Sequence, residues 1–343
     1  MANNLWQHPV WRGIAALLFV FCAAQALAAE ARGETEPVPN PMAAFAAEMA
    51  ERHGFDAAVL EKTLRETRFL NGIIRAMDAP ATALPWHEFR NRHITDSRIR
   101  AGLQFWIEHQ ALLERAAARY RVPPELIVAT IGVETLFGKL TGNVVVLDAL
   151  ATLAFGYPRR AEFFRGELEQ FLLLTRELNR EGGQLGSGIR GSFAGAIGIP
   201  QFMPGSYRKY AVDFDGDGVR DLRRVADAIG SVANYYSEFG WREGEQVVVP
   251  VDVGNSPLDA LLGLGLQPHL AVAEYRKRGV VPLEPVPDQA LATLFVTQSA
   301  AGPRYWLGLN NFYVITRYNR SINYAMVVHE LAQLLRQGRP AAP

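Results

Sequence analysis

Cysteine is nearly missing from this chain. Only Cys22 occurs in 343 residues. It lies in an apolar run near the start, so a mature chain beginning after that run has no disulfide, no thiolate nucleophile and no cysteine metal site. An excess of charge of either sign is missing too. Lys and Arg total 35, as do Asp and Glu, which leaves no global field to draw in nucleic acid or an anionic membrane. The 7 histidines are scattered and form no H-E-x-x-H pair, which argues against a zinc hydrolase. No serine stands in a G-x-S-x-G elbow. The run Gly186-Ser187-Gly188-Ile189-Arg190-Gly191 has G-x-G-x-x-G spacing. It follows a helical pattern rather than a strand, and no βαβ unit surrounds it, so a dinucleotide site is rejected.

The rest of the composition is that of a globular protein: 49% hydrophobic and 20% charged, with length for two or three modest domains. Arg12 precedes GIAALLFVFCAAQALAA, which ends in Ala26-Leu27-Ala28. A charged start, an apolar centre and an A-x-A end predict a secretory signal peptide over residues 1–28, cleaved after Ala28. A retained anchor is the rival reading, but the run is short for a span. Lipid attachment at Cys22 is a minor alternative, because the bulky Phe21 stands where such sites carry a small residue. All these readings place the chain outside the cytoplasm, soluble once the signal is removed. Residues 29–40 are a polar, proline-containing linker.

Amphipathic helical patterns follow in MAAFAAEMAERHG, FDAAVLEKTLRETRF and the long DSRIRAGLQFWIEHQALLERAAARYR. Pro at the start of PPELIVATIGVETLFG suits a first helical turn and Gly138 suits the stop. RRAEFFRGELEQFLLLTREL and VADAIGSVANYYSEFG are further helices. After Trp241 the pattern changes. EQVVVPVDV, ATLFVTQ and RYWLGL read as strands, with SPLDALLG a short helix between them. Helix returns in SINYAMVVHELAQLLRQG. The expected class is α+β, mainly α. A helical region over 41–243 precedes a small mixed β subdomain over 244–308, and a segment over 309–338 returns to the helical body. No internal repeat is found.

One carboxylate stands out. Glu134 sits in the apolar stretch IGVETLFG near a helix end. Burial and the negative end of the helix dipole both penalise its charged form. A carboxyl group with a raised pKa can protonate a leaving oxygen near neutral pH; a structural glutamate paired with an arginine is the alternative. Glu125, nine residues earlier on the opposite helix face, reads as a solvated helix-start carboxylate. Residues 191–210, GSFAGAIGIPQFMPGSYRKY, are rich in small residues, of which Gly195 and Ala196 suit a close sugar approach.

Glu134-Thr135 with Phe137-Gly138, then Ile199-Pro200-Gln201-Phe202-Met203-Pro204, then DAIGSVANY ending at Tyr235, and finally NNFYVITRYNRS, come in the order and spacing of the lytic murein transglycosylase B family. The chain resembles that family from about residue 40 to 338. The resemblance implies a lysozyme-like catalytic core, with additional helical segments and the small β subdomain. It implies cleavage of the β-1,4 bond between N-acetylmuramic acid and N-acetylglucosamine in peptidoglycan, leaving a 1,6-anhydro end, in the bacterial periplasm. The family's catalytic glutamate falls on Glu134, acting first as acid on the glycosidic oxygen and then as base on the muramoyl 6-hydroxyl. Ser192, Gln201 and Tyr235 match groove positions, as do Tyr318 and Asn319 in the terminal motif. Asp148 and Glu162 carry no comparable motif and read as solvated or salt-bridged. The expected partners are peptidoglycan glycan strands and, among proteins, those of cell-wall synthesis or remodelling. The chain is expected to act as a monomer, without nucleic acid or an organic cofactor.

Asp213-Phe214-Asp215-Gly216-Asp217-Gly218 has the start of an EF-hand loop, with the carbonyl of Val219 at position seven. Position twelve is Arg224 where an acid belongs. The family lengthens this loop and closes it with an aspartate at position fifteen, which is Asp227 here. The expectation is a structural Ca²⁺ held by Asp213, Asp215, Asp217, Val219 and Asp227; a metal-free Asp/Gly turn is the alternative. Two other functions compete with the transglycosylase: a muramidase that uses water, and a non-catalytic peptidoglycan-binding protein, which has no need of a buried acid.

Overall fold

The computed structural model describes residues 40–78, 84–179 and 188–339. The expected signal peptide, Cys22 and the linker up to residue 39 lie outside the described residues. The chain divides into two compact units, one up to Glu66 and one from Thr67 onward. The first contains two capped helices. α1 (Pro41–His53) starts where the Asn40 side chain accepts the Met42 amide, with proline at the first turn, and stops at Gly54 in the left-handed conformation. α2 (Ala57–Arg65) starts where Asp56 accepts the Val59 amide. Each cap satisfies a helix-start amide that has no partner inside the helix.

The second unit opens with α3 (Asn71–Asp78) and α4 (Trp86–His93). The long helical pattern that follows forms as two helices, α5 (Asp96–Glu108) and α6 (Gln110–Tyr120). They part at His109, whose φ of -118° and ψ of 23° leave the helical region. No glycine or proline marks that break. Next comes α7 (Pro124–Thr135), apolar on every side, with Leu126, Ile127, Val128, Ala129 and Ile131 all buried. A helix without a polar face belongs inside the core, and α7 packs against α5, α6 and two helices from later in the chain.

A two-residue strand β1 (Val144–Val145), α8 (Val146–Gly156) and α9 (Ala161–Asn179) follow. β2 (Arg190–Gly191) pairs antiparallel with β1. α10 (Pro204–Tyr210) and α11 (Val225–Glu238) complete this helical part.

The chain then builds an antiparallel sheet of five strands from β3 (Val248–Asp252), β4 (Leu270–Ala271), β5 (Val281–Pro282), β6 (Leu291–Ser299) and β7 (Gly302–Gly308), in the order β4-β6-β7-β3-β5. Phe295 faces Trp306, and Val249 faces Leu307. A short helix, α12 (Val272–Lys277), buries Val272 and Tyr275 beside Val249, Leu294 and Leu307. SPLDALLG does not become a helix. It forms one turn in which the Leu258 carbonyl accepts the amides of Leu261 and Leu262, and Gly263 and Gly265, both at positive φ, follow at once. α13 (Asn310–Tyr318) and α14 (Ile322–Gly338) return to the helices, where α14 packs on α7. The sequence-based class, mainly α with a small β part, holds. Among the described residues no helix is long and apolar enough to cross a membrane.

Candidate active site and acidic loop

Glu134 occupies the penultimate position of α7. Behind it the chain turns through three consecutive left-handed residues, Leu136, Phe137 and Gly138, at φ 49°, 61° and 83°. Non-glycine residues rarely accept this conformation, and here packing holds them in it. The Phe137 ring folds back over Gly132, where a Cβ would lie 2.6 Å from the ring edge. Thr135 ties the turn to the glycine-rich loop: its hydroxyl donates to the Ile199 carbonyl at 2.8 Å and accepts the Gly138 amide at 3.0 Å.

The Glu134 carboxyl group keeps partial solvent access among apolar neighbours. Tyr324, at the start of α14, donates its hydroxyl to Glu134 Oε1 at 2.6 Å. Burial pushes the pKa up to about 7 and outweighs the opposing Tyr324 bond. No neighbouring carboxylate figures among the causes of the shift. No arginine pairs with Glu134 among the described residues, which removes the structural-ion-pair alternative. Tyr324 is buried in an apolar helix and passes for a core residue in the sequence. Its only sequence signal is that Ser321, the cap of α14, stands just before it.

The loop after β2 lies against the segment that follows Glu134. A Cβ on Gly142 would reach within 2.2 Å of the Gly191 carbonyl. Ser192 Oγ accepts the amides of Ala194 and Ala196, which closes a tight turn. Gly195 is bare because a Cβ there would meet the Leu150 side chain at 2.5 Å, and Ala196 is buried. The smallness of these two residues therefore serves packing, not sugar approach. Gln201 sits at φ 52°. Its amide donates to the carbonyls of Thr141 and Gly198 at 3.0 and 2.8 Å, binding the Glu134 side of the site to this loop.

The expected groove aromatics divide. Tyr318 is half-buried, and its hydroxyl donates to the Pro200 carbonyl beside Gln201. Tyr235 is only 5% exposed. Its hydroxyl donates to the Arg317 carbonyl at 2.6 Å, and the rings of Phe202, Tyr210, Phe239 and Tyr318 surround it. Its ring is thus packed among aromatics. Asn319 is exposed, next to Tyr318. Asp148 accepts the Arg68 amide at 3.1 Å, and Glu162 is exposed on α9.

The acidic loop ends at the first turn of α11. Asp213, Asp215 and Asp227 each offer an oxygen, and these oxygens lie within 4.8 Å of one another. Backbone amides, that of Gly218 first, hold the Asp213 carboxyl below its usual range. Asp227 is fully buried, accepts the amides of Phe214 and Asp221, each at 2.7 Å, and is pushed up by burial. Asp217 does not join these three carboxylates. Asp217 pairs with Arg224 at 2.5 Å and accepts the Val219 amide. Arg224, the residue that breaks the standard loop pattern, also reaches Asp215 at 3.5 Å and thus occupies two of the expected ligands.

A mainly helical body with a lone acid closing an apolar helix, beside a glycine-rich loop, defines a lysozyme-like enzyme. The transglycosylase SLT domain model matches residues 38–333. The membrane-bound lytic murein transglycosylase B of Escherichia coli (strain K12) is 43% identical over 313 residues, 88% of this chain and 84% of that protein. The soluble lytic transglycosylase SltB1 of Pseudomonas aeruginosa has a similar structure, with a TM-score of 0.78 at 43% identity over 87% of this chain and 98% of that one. The lytic transglycosylase Slt35 of Escherichia coli, solved in complex with calcium, gives 0.77 at 42% identity over 88% and 94% of the two chains; it has also been solved with bulgecin A. This chain belongs to the transglycosylase SLT domain family, and it is a lytic murein transglycosylase.

Proposed function

We propose that Glu134 carries both proton transfers of the lytic reaction. As acid it protonates the oxygen of the β-1,4 bond after N-acetylmuramic acid. As base it then takes the proton of the muramoyl 6-hydroxyl as that oxygen closes on C1. The observation that supports this most is a single carboxyl group poised near pH 7 with, among the described residues, one hydrogen bond and no second acid acting on it. A two-carboxylate glycosidase needs a partner acid across the bond; an internal hydroxyl nucleophile does not, and its proximity removes the entropy cost of recruiting water. Ser192, Gln201, Tyr318 and Asn319 line the glycan groove in this reading, and Tyr235 buttresses it. The expected N-terminal signal places the enzyme in the periplasm.

We also propose a structural Ca²⁺ at Asp213, Asp215 and Asp227. The oxygen donors suit a hard cation, and the related Slt35 was solved with calcium. Asp217 and the Val219 carbonyl complete the shell once Arg224, itself 54% exposed, swings away. That is a small cost for a surface ion pair.

Mass spectrometry of digested, borohydride-treated peptidoglycan tests the reaction. Products one water lighter than hydrolysis products, without a reducible muramic end, are expected. Fragments that reduce normally and carry the added water mean a muramidase; no fragments at all mean a binding protein.

A further inference from the structure

A cavity opens away from Glu134. Its volume is about 360 Å³, and it lies where the start of α7, the second half of α14 and the approach to β3 meet. That size suits one amino-acid residue, at the small end of ligand cavities. Glu125 and Glu134 share α7 but point to opposite faces, about 14 Å apart along its axis.

The walls have a specific chemistry. Leu126, Val247 and Ala332 form an apolar floor, and Trp241 supplies an aromatic wall. Glu125 is not solvated as its place in the sequence suggests: its side chain is only 17% exposed, and among the described residues its one ion-pair partner is Arg336, 4.0 Å away and 67% exposed. The first turn of α7 favours its negative charge. The His329 imidazole lines the same space without a hydrogen bond among the described residues, and burial holds its pKa down to about 4. Neutral at physiological pH, it offers a nitrogen lone pair. At the rim, Glu245 leans on Arg242 at 3.4 Å and Glu284 accepts the Gln246 amide at 3.5 Å. With Arg336 and Arg242 counted, one carboxylate is in excess.

An aromatic face, an apolar floor, a half-paired carboxylate and a free imidazole lone pair together select a primary alkylammonium. Its methylenes cover the floor, its charge meets Glu125 and the Trp241 ring, and one of its three N–H groups donates to His329. A carboxylate ligand is repelled, and a neutral sugar leaves the excess charge without a counterion. We propose that this cavity binds the free side-chain amine of a diamino acid in an uncross-linked murein peptide. The murein source rests on the function proposed above; the amine chemistry does not. Cross-linking converts that amine to an amide, so the site would sort strands by the state of their peptides, apart from the groove that cuts them.

The test has two arms. In the first, Nα-acetyl-lysine methylamide, the uncharged norleucine analogue and N,N′-diacetylchitobiose are titrated while the Trp241 indole and His329 imidazole NMR signals are followed. Only the lysine compound should shift them saturably. Glu125→Gln should weaken that binding about tenfold or more, the scale of a lost charge-assisted bond. Arg336→Ala, at an exposed position, should tighten it by freeing Glu125. Equal binding of norleucine or the disaccharide, or unchanged binding by Glu125→Gln, overturns the amine site.

In the second arm, uncross-linked peptidoglycan is cut before and after acetylation of its amines. KM should rise several-fold on acetylation in wild type but not in Glu125→Gln, with kcat unchanged. Amine binding with a KM indifferent to acetylation overturns the murein source. A protein that binds the amine and cuts no glycan at all refutes the proposed function instead.

Discussion

Glu134 links protonation to both rate and stability. Its acid step needs the proton, so the acid-dependent limb of kcat should fall as pH rises through about 7. Tyr324 stabilises the ionised form; Tyr324→Phe should therefore move that limb to higher pH without unfolding the chain, which a pH–rate profile reads directly. Glu134→Gln keeps the shape and loses the proton, and kcat should drop by about 10²–10⁴. For stability the sign is fixed by the raised pKa. The folded chain holds this proton more tightly than the unfolded one, so the contribution is fully present below 4.5 and is lost as pH rises through about 7. Glu134→Gln is always neutral. It should gain in melting temperature relative to wild type as pH climbs across that window. An equal gap at pH 4 and pH 8 would contradict the buried-acid reading. Glu134 was legible in the sequence because a charge in an apolar run is visible locally. Tyr324 was not, because a tyrosine in an apolar helix looks like packing until the fold shows what its hydroxyl meets.

At the level of elements, the turn that ends α7 matters most. Gly132 is bare because the Phe137 ring lies on it, and that ring holds the left-handed turn behind Glu134. Gly132→Ala should cost about 1–3 kcal/mol, the range for overpacking a tight core. It should also lower kcat beyond what lost folding explains, because it displaces the ring that shapes the turn. Denaturant melts and kinetics on the folded fraction separate the two effects. The long helices and the three long strands are readable from periodicity, since each has one solvated face or is apolar throughout. α3, α4, α10, α12 and α13 are not read, because fewer than ten residues show too little of a repeat, and α8 is not read because it is buried along almost its whole length. Two further features run against the sequence reading. The break at His109 has no glycine or proline to announce it. SPLDALLG has the pattern of a helix, yet Gly263 and Gly265 follow too soon for more than a single turn, and Leu261 is drawn into the sheet's core.

For the molecule as a whole, the proposed Ca²⁺ site in the acidic loop should act on stability. Binding to the native state alone raises stability by mass action, about 2.7 kcal/mol at a hundredfold excess over Kd. A chelator should therefore lower the melting temperature, Ca²⁺ should restore it, and Asp215→Ala should abolish the difference. Asp227→Asn should differ in kind. Its carboxylate accepts two backbone amides, so the variant should melt lower even in chelator. Identical curves for wild type with and without Ca²⁺ would leave the loop a plain turn. The loop's start was readable from its alternating aspartates. The pairing of Asp217 with Arg224 was not, because it depends on how the loop curls.

The bond between Tyr324 and Glu134 joins residues 190 positions apart. Translation delivers the acid well before its hydroxyl partner. A chain halted just before Ile322 contains the acid, the glycine-rich loop, the acidic loop and the whole sheet, but lacks this hydroxyl. The acid therefore reaches its final hydrogen bonding only when α14 has docked on α7.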